Sequence, residues 1–275
     1  MIKVDNLSKR FGNKIALEDI SFDIKEGEIF GFLGPSGAGK TTTINILTGQ
    51  LSQDSGKAYI LNKESNRLLP SDFLNIGIMS DTVGFYGKMT VYKNLQFFAK
   101  YHNVSLDKLD VLLKELELFE DKDKKAEKLS TGMKQRMLLI RSILHHPKIL
   151  FLDEPTSGLY PALSNKVHDI LLNLKNEGTT IFLTTHDMSE ATKICDRISL
   201  LNSGHILEYG SPQEIIDKYS QQDKAVIRFK NGDSIMVSQA EAARYLGGSD
   251  VASVHTLENT LEDIFIKISE DSKNA

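Results

Sequence analysis

The stretch GPSGAGKTT, Gly34–Thr42, is the feature that most constrains how this chain can fold. It follows the apolar run Ile29–Leu33 directly, and the segment after it, TTTINILTG, has helical character. The spacing G-x-x-x-x-G-K-T is typical of a loop whose backbone amides enclose a phosphate. An ordinary glycine turn is the alternative, but a strand, this loop and a helix in succession favour a nucleotide-binding α/β fold.

Each type of residue in this loop can contribute to binding a polyphosphate. Gly37 and Gly39 permit backbone angles and a close approach that a side chain would block. Lys40 would reach the outer phosphates as a point charge, and the Thr41 hydroxyl would take a place on Mg²⁺. The predicted phosphate contacts come from the whole loop and the first helical turn: Gly34, Pro35, Ser36, Gly37, Ala38, Gly39, Lys40, Thr41 and Thr42.

Composition narrows the class of protein. The 275 residues are 40% hydrophobic and 25% charged, as in a soluble globular protein. The net charge of −4 comes without blocks of like charge, so nothing indicates a nucleic-acid surface. The single cysteine, Cys195, excludes an internal disulfide. No apolar run approaches the ~20 residues that span a bilayer, and the polar start does not resemble a secretory signal. We therefore expect a cytosolic protein.

The order of apolar patterns predicts an α/β fold with an inserted helical subdomain. Short β-like runs, among them the alternating Ile15–Ile24, come first and predict an N-terminal antiparallel β-subdomain. Residues from about 85 to 146 are helical in pattern, and the continuous apolar run Ile149–Asp153 then indicates a buried parallel strand. After residue 219 a hairpin across Asn231-Gly232 opens a small C-terminal α/β extension.

Two adjacent carboxylates, Asp153 and Glu154, end that apolar strand in KILFLDEPTSGL. Because neighbouring carboxylates repel each other, a cation such as Mg²⁺ would offset their charge. Asp153 would hold the metal, and Glu154 would act as general base on a water behind the γ-phosphate. A solvated acidic turn before a proline is the alternative in isolation, and the upstream phosphate loop favours the catalytic interpretation.

The stretch LSTGMKQRM, Leu129–Met137, places a hydroxyl and free amides at a helix start. By itself it would be an ordinary N-cap. Together with the preceding motifs it resembles the signature loop of ATP-binding cassette (ABC) proteins, and the resemblance covers residues 1 to about 219 in the family's motif order. It implies a P-loop NTPase of ABC type, and a cassette at 1–219 followed by the extension at 220–275. Two cassettes would pack head to tail, so that Ser130 and Gly132 contact the ATP held by the other.

Further positions take roles from the same resemblance. Phe11 matches the aromatic that stacks on adenine, and His186 in LTTHD matches the switch histidine at the γ-phosphate. Asp81 stands where many cassettes have a glutamine near Mg²⁺, a variation usual in the drug- and peptide-export branch. Thr131 replaces the first signature glycine. Tyr160 replaces an aspartate that normally lies across the dimer interface, so communication between the two sites is in question.

The resemblance implies the ATP- and Mg²⁺-dependent ATPase subunit of an exporter similar to those for bacitracin and lantibiotics. A separate integral membrane permease and a second cassette, a homodimer by preference, would be its partners at the cytoplasmic face of the membrane. Residues Val83–Val104, with Phe85, Tyr86 and Tyr92, would form much of the docking groove or else belong to a subdomain core. A non-hydrolysing regulatory subunit and a soluble non-transport cassette are the alternatives.

Three histidines outside these motifs have no predicted ligand role. His145 and His146 are expected to be solvated at a helix end. His168 is expected on the exposed face of the helix that starts at Pro161.

Overall fold

The computed structural model describes residues 1–80, 84–219, 224–256 and 259–274. The chain divides into two compact units, Met1–Tyr209 and Gly210–Ala275. None of the helices in the described ranges combines the length and apolarity needed to cross a bilayer.

Over its described residues, 1–80 and 84–209, the first unit contains two sheets. Its strands are β1 (Ile2–Phe11), β2 (Lys14–Ile24), β3 (Ile29–Leu33), β4 (Ser55–Ile60), β5 (Lys63–Glu64), β6 (Ile76–Met79), β7 (Ile149–Asp153), β8 (Thr180–Thr185), β9 (Arg197–Asn202) and β10 (His205–Gly210). One sheet has the order β2-β1-β4-β5 with antiparallel neighbours, and the other has the order β10-β9-β3-β8-β7-β6. The predicted antiparallel subdomain is confirmed.

The larger sheet brings the predicted motifs together at one edge. β3 pairs in parallel with β8 through Leu33↔Thr185, and β7 pairs in parallel with β8 through Asp153↔Thr184. The phosphate loop, the paired carboxylates and the histidine loop each follow the carboxyl end of one of these strands. Parallel strands end at the same edge, which is where open α/β sheets bind ligands.

Aromatic packing joins the two sheets of the first unit. Phe22 of the antiparallel sheet stacks on Phe30 with ring centroids 5.4 Å apart and lies 6.1 Å from Phe182. Phe151 lies 5.8 Å from Phe182 on the neighbouring strand. Because both faces of the central strands are covered, these strands are continuously apolar rather than alternating.

The remaining helices of the first unit flank the sheet and form the insert. They are α1 (Lys40–Leu47), α2 (Val91–Tyr101), α3 (Leu106–Glu115), α4 (Thr131–Ile143), α5 (Pro161–Asn176) and α6 (Met188–Ile194). The insert helices α2, α3 and α4 each start at a hydroxyl side chain, from Thr90, Ser105 and Ser130, that accepts a hydrogen bond from a backbone N–H three residues on. The predicted helical insert is confirmed.

The second unit comprises α7 (Pro212–Tyr219), β11 (Lys224–Phe229), β12 (Ser234–Ser238), α8 (Gln239–Ala242), β13 (Val251–Thr256) and α9 (Leu261–Asn274). Its antiparallel sheet has the order β12-β11-β13 around buried Ala225 and Ile227. The predicted hairpin is present. Helix α7 groups with this unit, where it packs with α9, although the sequence assigns it to the cassette. The predicted boundary after residue 219 stays a prediction.

Two expectations about histidines are wrong. His168 is buried, because its side chain turns from α5 towards α6 and pairs with Glu190. His145 stacks on His102 with ring centroids 4.0 Å apart, and burial is the main reason that its pKa falls to about 4. His146 is exposed, as expected.

Candidate nucleotide-binding and hydrolysis site

Two glycines let the phosphate loop lie close to neighbouring backbone. Any other residue at either position would clash with a carbonyl oxygen. Gly39 has φ +118°, and a Cβ on it would lie 2.5 Å from the carbonyl oxygen of Ala16. A Cβ on Gly34 would lie 2.2 Å from the carbonyl oxygen of Leu201. The loop is therefore pressed against the strand β9 and the start of β2, and it leads directly into α1 with the helix N-terminus facing the cleft.

Lys40, the first residue of α1, is only 6% exposed and curls back over the loop. Its Nζ donates to the carbonyl oxygens of Gly34 at 2.6 Å and Pro35 at 3.2 Å. The same ammonium lies 3.5 Å from Oε1 of Glu154. A buried ammonium thus stands between the loop and the carboxylate that follows β7, where it can face an anionic ligand.

The Asp153 carboxylate is oriented from both sides. One oxygen, Oδ2, accepts from Thr41 Oγ1 at 2.8 Å, and the other, Oδ1, accepts from Thr184 Oγ1. Thr184 is fully buried in β8. Asp153 and Thr41 therefore present hard oxygen atoms at one point beside the loop, a donor set that suits Mg²⁺.

Glu154 adopts a backbone conformation that is uncommon for its residue type. Its φ is +49°, in the left-handed region, and its N–H donates to the carbonyl oxygen of Thr184 at 3.0 Å. The Glu154 carbonyl oxygen accepts from Gln135 Nε2 at 2.7 Å. Left-handed backbone in a non-glycine residue costs free energy and often marks a functional position. The strain turns the side chain of Glu154 towards the cleft.

His186 completes the polar cluster. Its Nδ1 lies 2.7 Å from Oε2 of Glu154, while its own side chain is 63% exposed. One carboxylate therefore faces both Lys40 and His186, so a carboxylate, a buried ammonium and an imidazole converge above the phosphate loop.

A cleft of about 260 Å³ runs alongside these groups. It is lined by residues from β1, β2, the loop, α1 and the turn after β7: Phe11, Lys14, Ala16, Ser36, Gly37, Gly39, Lys40, Thr41, Thr42 and Glu154. Phe11 is half exposed at the outer end, where an aromatic face is available for a base to stack on. Lys14 and Ala16 line the cleft although no sequence motif indicates them.

The signature residues lie away from this cleft. Ser130 accepts from the N–H of Met133 at 3.3 Å and caps α4. A Cβ on Gly132 would lie 3.1 Å from the carbonyl oxygen of Gly158, so the signature helix packs closely on the turn after β7. Neither residue lines the cleft of its own chain. The predicted metal residue Asp81 lies outside the described residues.

Tyr160 contacts the segment that follows α3 in its own chain. Its hydroxyl donates to Oε2 of Glu117, and Lys166 donates to Oε1 of the same carboxylate. The hydrogen bond to Glu117 raises the pKa of the tyrosine. Arg136 of the signature helix also donates to the Glu117 carbonyl oxygen at 2.6 Å. The residue that replaces the usual aspartate thus links α5 to the helical insert.

Known proteins resemble this chain over most of its length. A family model described as ABC transporter matches residues 17–157. The fluoroquinolones export ATP-binding protein of Mycobacterium tuberculosis (strain ATCC 25618 / H37Rv) is 36% identical, covering 98% of this chain and 93% of that protein. The Nod factor export ATP-binding protein I of Bradyrhizobium diazoefficiens is 32% identical, covering 98% and 96%.

Solved structures show the same architecture. An ATP-binding cassette solved as a dimer in a post-hydrolysis state, bound to ADP and Pi, superimposes with a TM-score of 0.69 at 27% identity. The match covers 77% of this chain and 98% of that one.

Proposed function

The chain belongs to the ABC transporter family of ATPases, and we propose that within it this chain is the ATP-hydrolysing subunit of an exporter for drugs or antimicrobial peptides. The observation that carries the proposal is the convergence of Lys40, Asp153, Glu154 and His186 beside one phosphate loop. These four side chains come from α1 and from the ends of β7 and β8, so the folded sheet brings them together.

ATP would lie along the cleft from Phe11 to Lys40. The adenine would stack on the exposed face of Phe11, and the loop amides together with the N-terminus of α1 would hold the phosphates. Lys40 would exchange its carbonyl contacts for the outer phosphates. In this arrangement the predicted contacts Gly34–Thr42 bind the phosphates and Phe11 binds the adenine.

Mg²⁺ would be held by Thr41 and Asp153, whose oxygens already approach each other at 2.8 Å. A magnesium ion keeps several waters and shares phosphate oxygens, so two protein ligands are sufficient. When bound, the ion supplies neutralisation of charge on the transferred phosphoryl group. Asp81 is proposed as a further residue near this ion.

Glu154 would take a proton from the attacking water, and His186 would hold the carboxylate in position and reach the γ-phosphate. The 2.7 Å contact between Nδ1 of His186 and Oε2 of Glu154 supports this pairing. A positioned general base contributes about 10²–10⁴ in rate.

A second cassette would complete the site. Because Ser130 and Gly132 do not line the cleft of their own chain, they are available to the nucleotide of a partner. The related cassette whose structure was solved is dimeric, and a homodimer is the simplest arrangement here. A second candidate is a cassette with weak or no hydrolysis. It is favoured by Tyr160, which stands where the family pattern has an interface aspartate and cannot accept hydrogen bonds in the same way.

The membrane partner is proposed from the relatives, whose names describe export ATP-binding proteins. A separate integral permease would bind the helical insert, where Tyr86 and Phe97 are exposed, at the cytoplasmic face of the membrane. A tagged chain purified from native membranes should carry one integral protein in fixed ratio. Recovery without any integral protein would contradict this partner.

Hydrolysis is tested by Glu154→Gln, which keeps the shape of the side chain and removes the base. We expect turnover to fall by about 10²-fold or more while ATP affinity is retained. The control is Glu177→Gln, the same change at an exposed residue near the far end of α5. Unchanged turnover in Glu154→Gln would remove Glu154 from this role.

Dimerisation is tested in the same Glu154→Gln background. ATP should convert the protein to a dimer in size-exclusion chromatography, and Ser130→Arg should prevent the conversion. The matched control is Ser105→Arg, because Ser105 caps α3 in the same way as Ser130 caps α4. A protein that stays monomeric with ATP would contradict the homodimer.

A further inference from the structure

A buried polar network lies behind the catalytic loops. The Oε1 atom of Glu190 accepts from Thr156 Oγ1 at 2.8 Å and lies 2.9 Å from Nε2 of His168. Glu190 and His168 are only 3% and 6% exposed. The three residues come from the turn after β7, from α5 and from α6.

The two ends of this network lie next to the proposed catalytic pair. Thr156 follows Glu154 by two residues, in the turn that also carries the strained φ of +49° at Glu154. Glu190 lies in the first turn of α6, whose N-cap Asp187 directly follows His186. Asp187 accepts from the N–H groups of Ser189 and Glu190, so the start of α6 is hydrogen-bonded to the residue that follows His186.

The buried carboxylate of Glu190 favours the arrangement in which Thr156 and His168 both donate hydrogen bonds to it. A carboxylate with so little exposure needs hydrogen-bond donors, because an unsatisfied buried charge is costly. Thr156 and His168 supply those donors to one oxygen of Glu190; Nε2 of His168 is taken as a donor because its partner is a carboxylate oxygen. Within the described parts of the chain, Oε2 of Glu190 and Nδ1 of His168 have no partner. Losing either donor would therefore leave Glu190 poorly satisfied.

We propose that Thr156, Glu190 and His168 form a positioning network that fixes the turn of Glu154 relative to the loop of His186. The inference rests on the proposed roles of Glu154 and His186. The 2.7 Å contact between those two side chains requires that both loops keep their places. Strand pairing between β7 and β8 holds the loops at their starts, and the network holds them again beyond the catalytic residues.

The test compares Thr156→Val with Thr156→Ser. Valine keeps the shape and removes the donor, and serine restores the donor. We expect kcat to fall about 10- to 100-fold in Thr156→Val, because a displacement of about 1 Å costs about 10²-fold. The KM for ATP should stay unchanged, since Thr156 does not line the nucleotide cleft. Thr156→Ser should restore most of kcat.

Two further variants separate positioning from general stability. Thr192→Val removes a hydroxyl from the same helix α6, where it donates only to the Met188 carbonyl oxygen, and should leave kcat unchanged. His168→Leu should lower kcat as Thr156→Val does, and His168→Gln, which retains an N–H donor, should recover part of it. Equal kcat losses in Thr156→Val and Thr156→Ser would overturn the proposal, as would an unchanged kcat in Thr156→Val.

The double variant Glu154→Gln/Thr156→Val identifies the residue through which the network acts. Coupled residues are non-additive, so single-turnover hydrolysis in the double variant should equal that of Glu154→Gln alone. A further loss in the double variant would overturn action through Glu154. If the unmodified protein shows no ATP turnover, the proposed function fails. If Glu154→Gln keeps full turnover, the role proposed for Glu154 fails and the network has no catalytic residue to position. If Glu154→Gln loses turnover and Thr156→Val does not, only the positioning network fails.

Discussion

Replacing Thr184 by valine should weaken the proposed magnesium site without disturbing the fold around it. Thr184 is fully buried in β8 and donates to Oδ1 of Asp153, which leaves Oδ2 turned to Thr41. Valine has the same shape and β-propensity as threonine, so the change removes only the hydroxyl.

The magnitude has two parts. A hydrogen bond to a charged group contributes about 1.5–3 kcal/mol, so the free energy of unfolding should fall by roughly that amount. A partner that orients a metal ligand typically contributes 10- to 100-fold to metal affinity or activity. The Mg²⁺ concentration that half-saturates hydrolysis should therefore rise by about that factor.

The chain offers a matched control in the same strand. Thr180 is also fully buried in β8, and its hydroxyl accepts from the N–H of Gly27 at 3.0 Å. It lies four residues from Thr184, about 13 Å along an extended strand. Thr180→Val should cost comparable stability in urea unfolding and leave the Mg²⁺ dependence unchanged.

Two measurements check the reasoning: Mg²⁺ titration of ATPase activity, and the Mg²⁺-dependent rise in melting temperature with ATP present. Thr184→Val should weaken the response in both. An unchanged Mg²⁺ response would refute the orienting role, and equal shifts in Thr180→Val would assign the effect to general destabilisation.

Three other changes have outcomes set by the structure. Gly39→Ala should lower the free energy of unfolding by about 2–4 kcal/mol, because it adds a clash with the Ala16 carbonyl oxygen to an unfavourable φ. Gly37 also has a positive φ, +81°, but has open space around it, so Gly37→Ala should cost less stability. Equal costs of the two changes in urea unfolding would contradict the clash. Burial and the neighbouring His102 lower the pKa of His145 to about 4. The contribution of the neutral imidazole to stability is therefore complete above about pH 6.5 and is lost as the pH falls towards 4, by up to about 3 kcal/mol. His145→Gln should flatten that loss in unfolding curves, and an unaltered slope would exclude His145 as its cause. Tyr160→Asp should raise the ATP turnover of the isolated protein if the tyrosine weakens a homodimer. The control Tyr160→Phe only breaks the hydrogen bond to Glu117. A lower turnover in Tyr160→Asp would indicate an active role for Tyr160.

The family, the phosphate loop and the helix starts could be predicted because each depends on consecutive residues. The G-x-x-x-x-G-K-T spacing specifies the loop, and a hydroxyl residue before a helical pattern specifies each N-cap in the insert. Continuous apolar runs indicated the buried strand Ile149–Asp153 with its observed bounds. Roles for Asp153 and Glu154 could be expected from their place at the strand end.

Contacts between distant segments could not be predicted in this way. No spacing rule relates Thr184 to Asp153 or Gln135 to Glu154, because the contacts depend on the register of β7 with β8 and on how α4 packs. The same limit explains the error at His168, which periodicity places on the exposed face of α5. Its burial is decided by α6, a neighbour that the helix pattern does not contain.

The sequence by itself therefore determined the loop, the strand and helix order, and the identity of the polar residues at strand ends. Local backbone geometry depends on neighbouring residues, so a short stretch of sequence is enough to predict the loop and the order of strands and helices. Only the tertiary structure decided that Glu154 faces both Lys40 and His186, and that Tyr160 binds Glu117. Those contacts join residues far apart in the chain, and their distances are fixed by sheet register and helix packing, which no single stretch encodes.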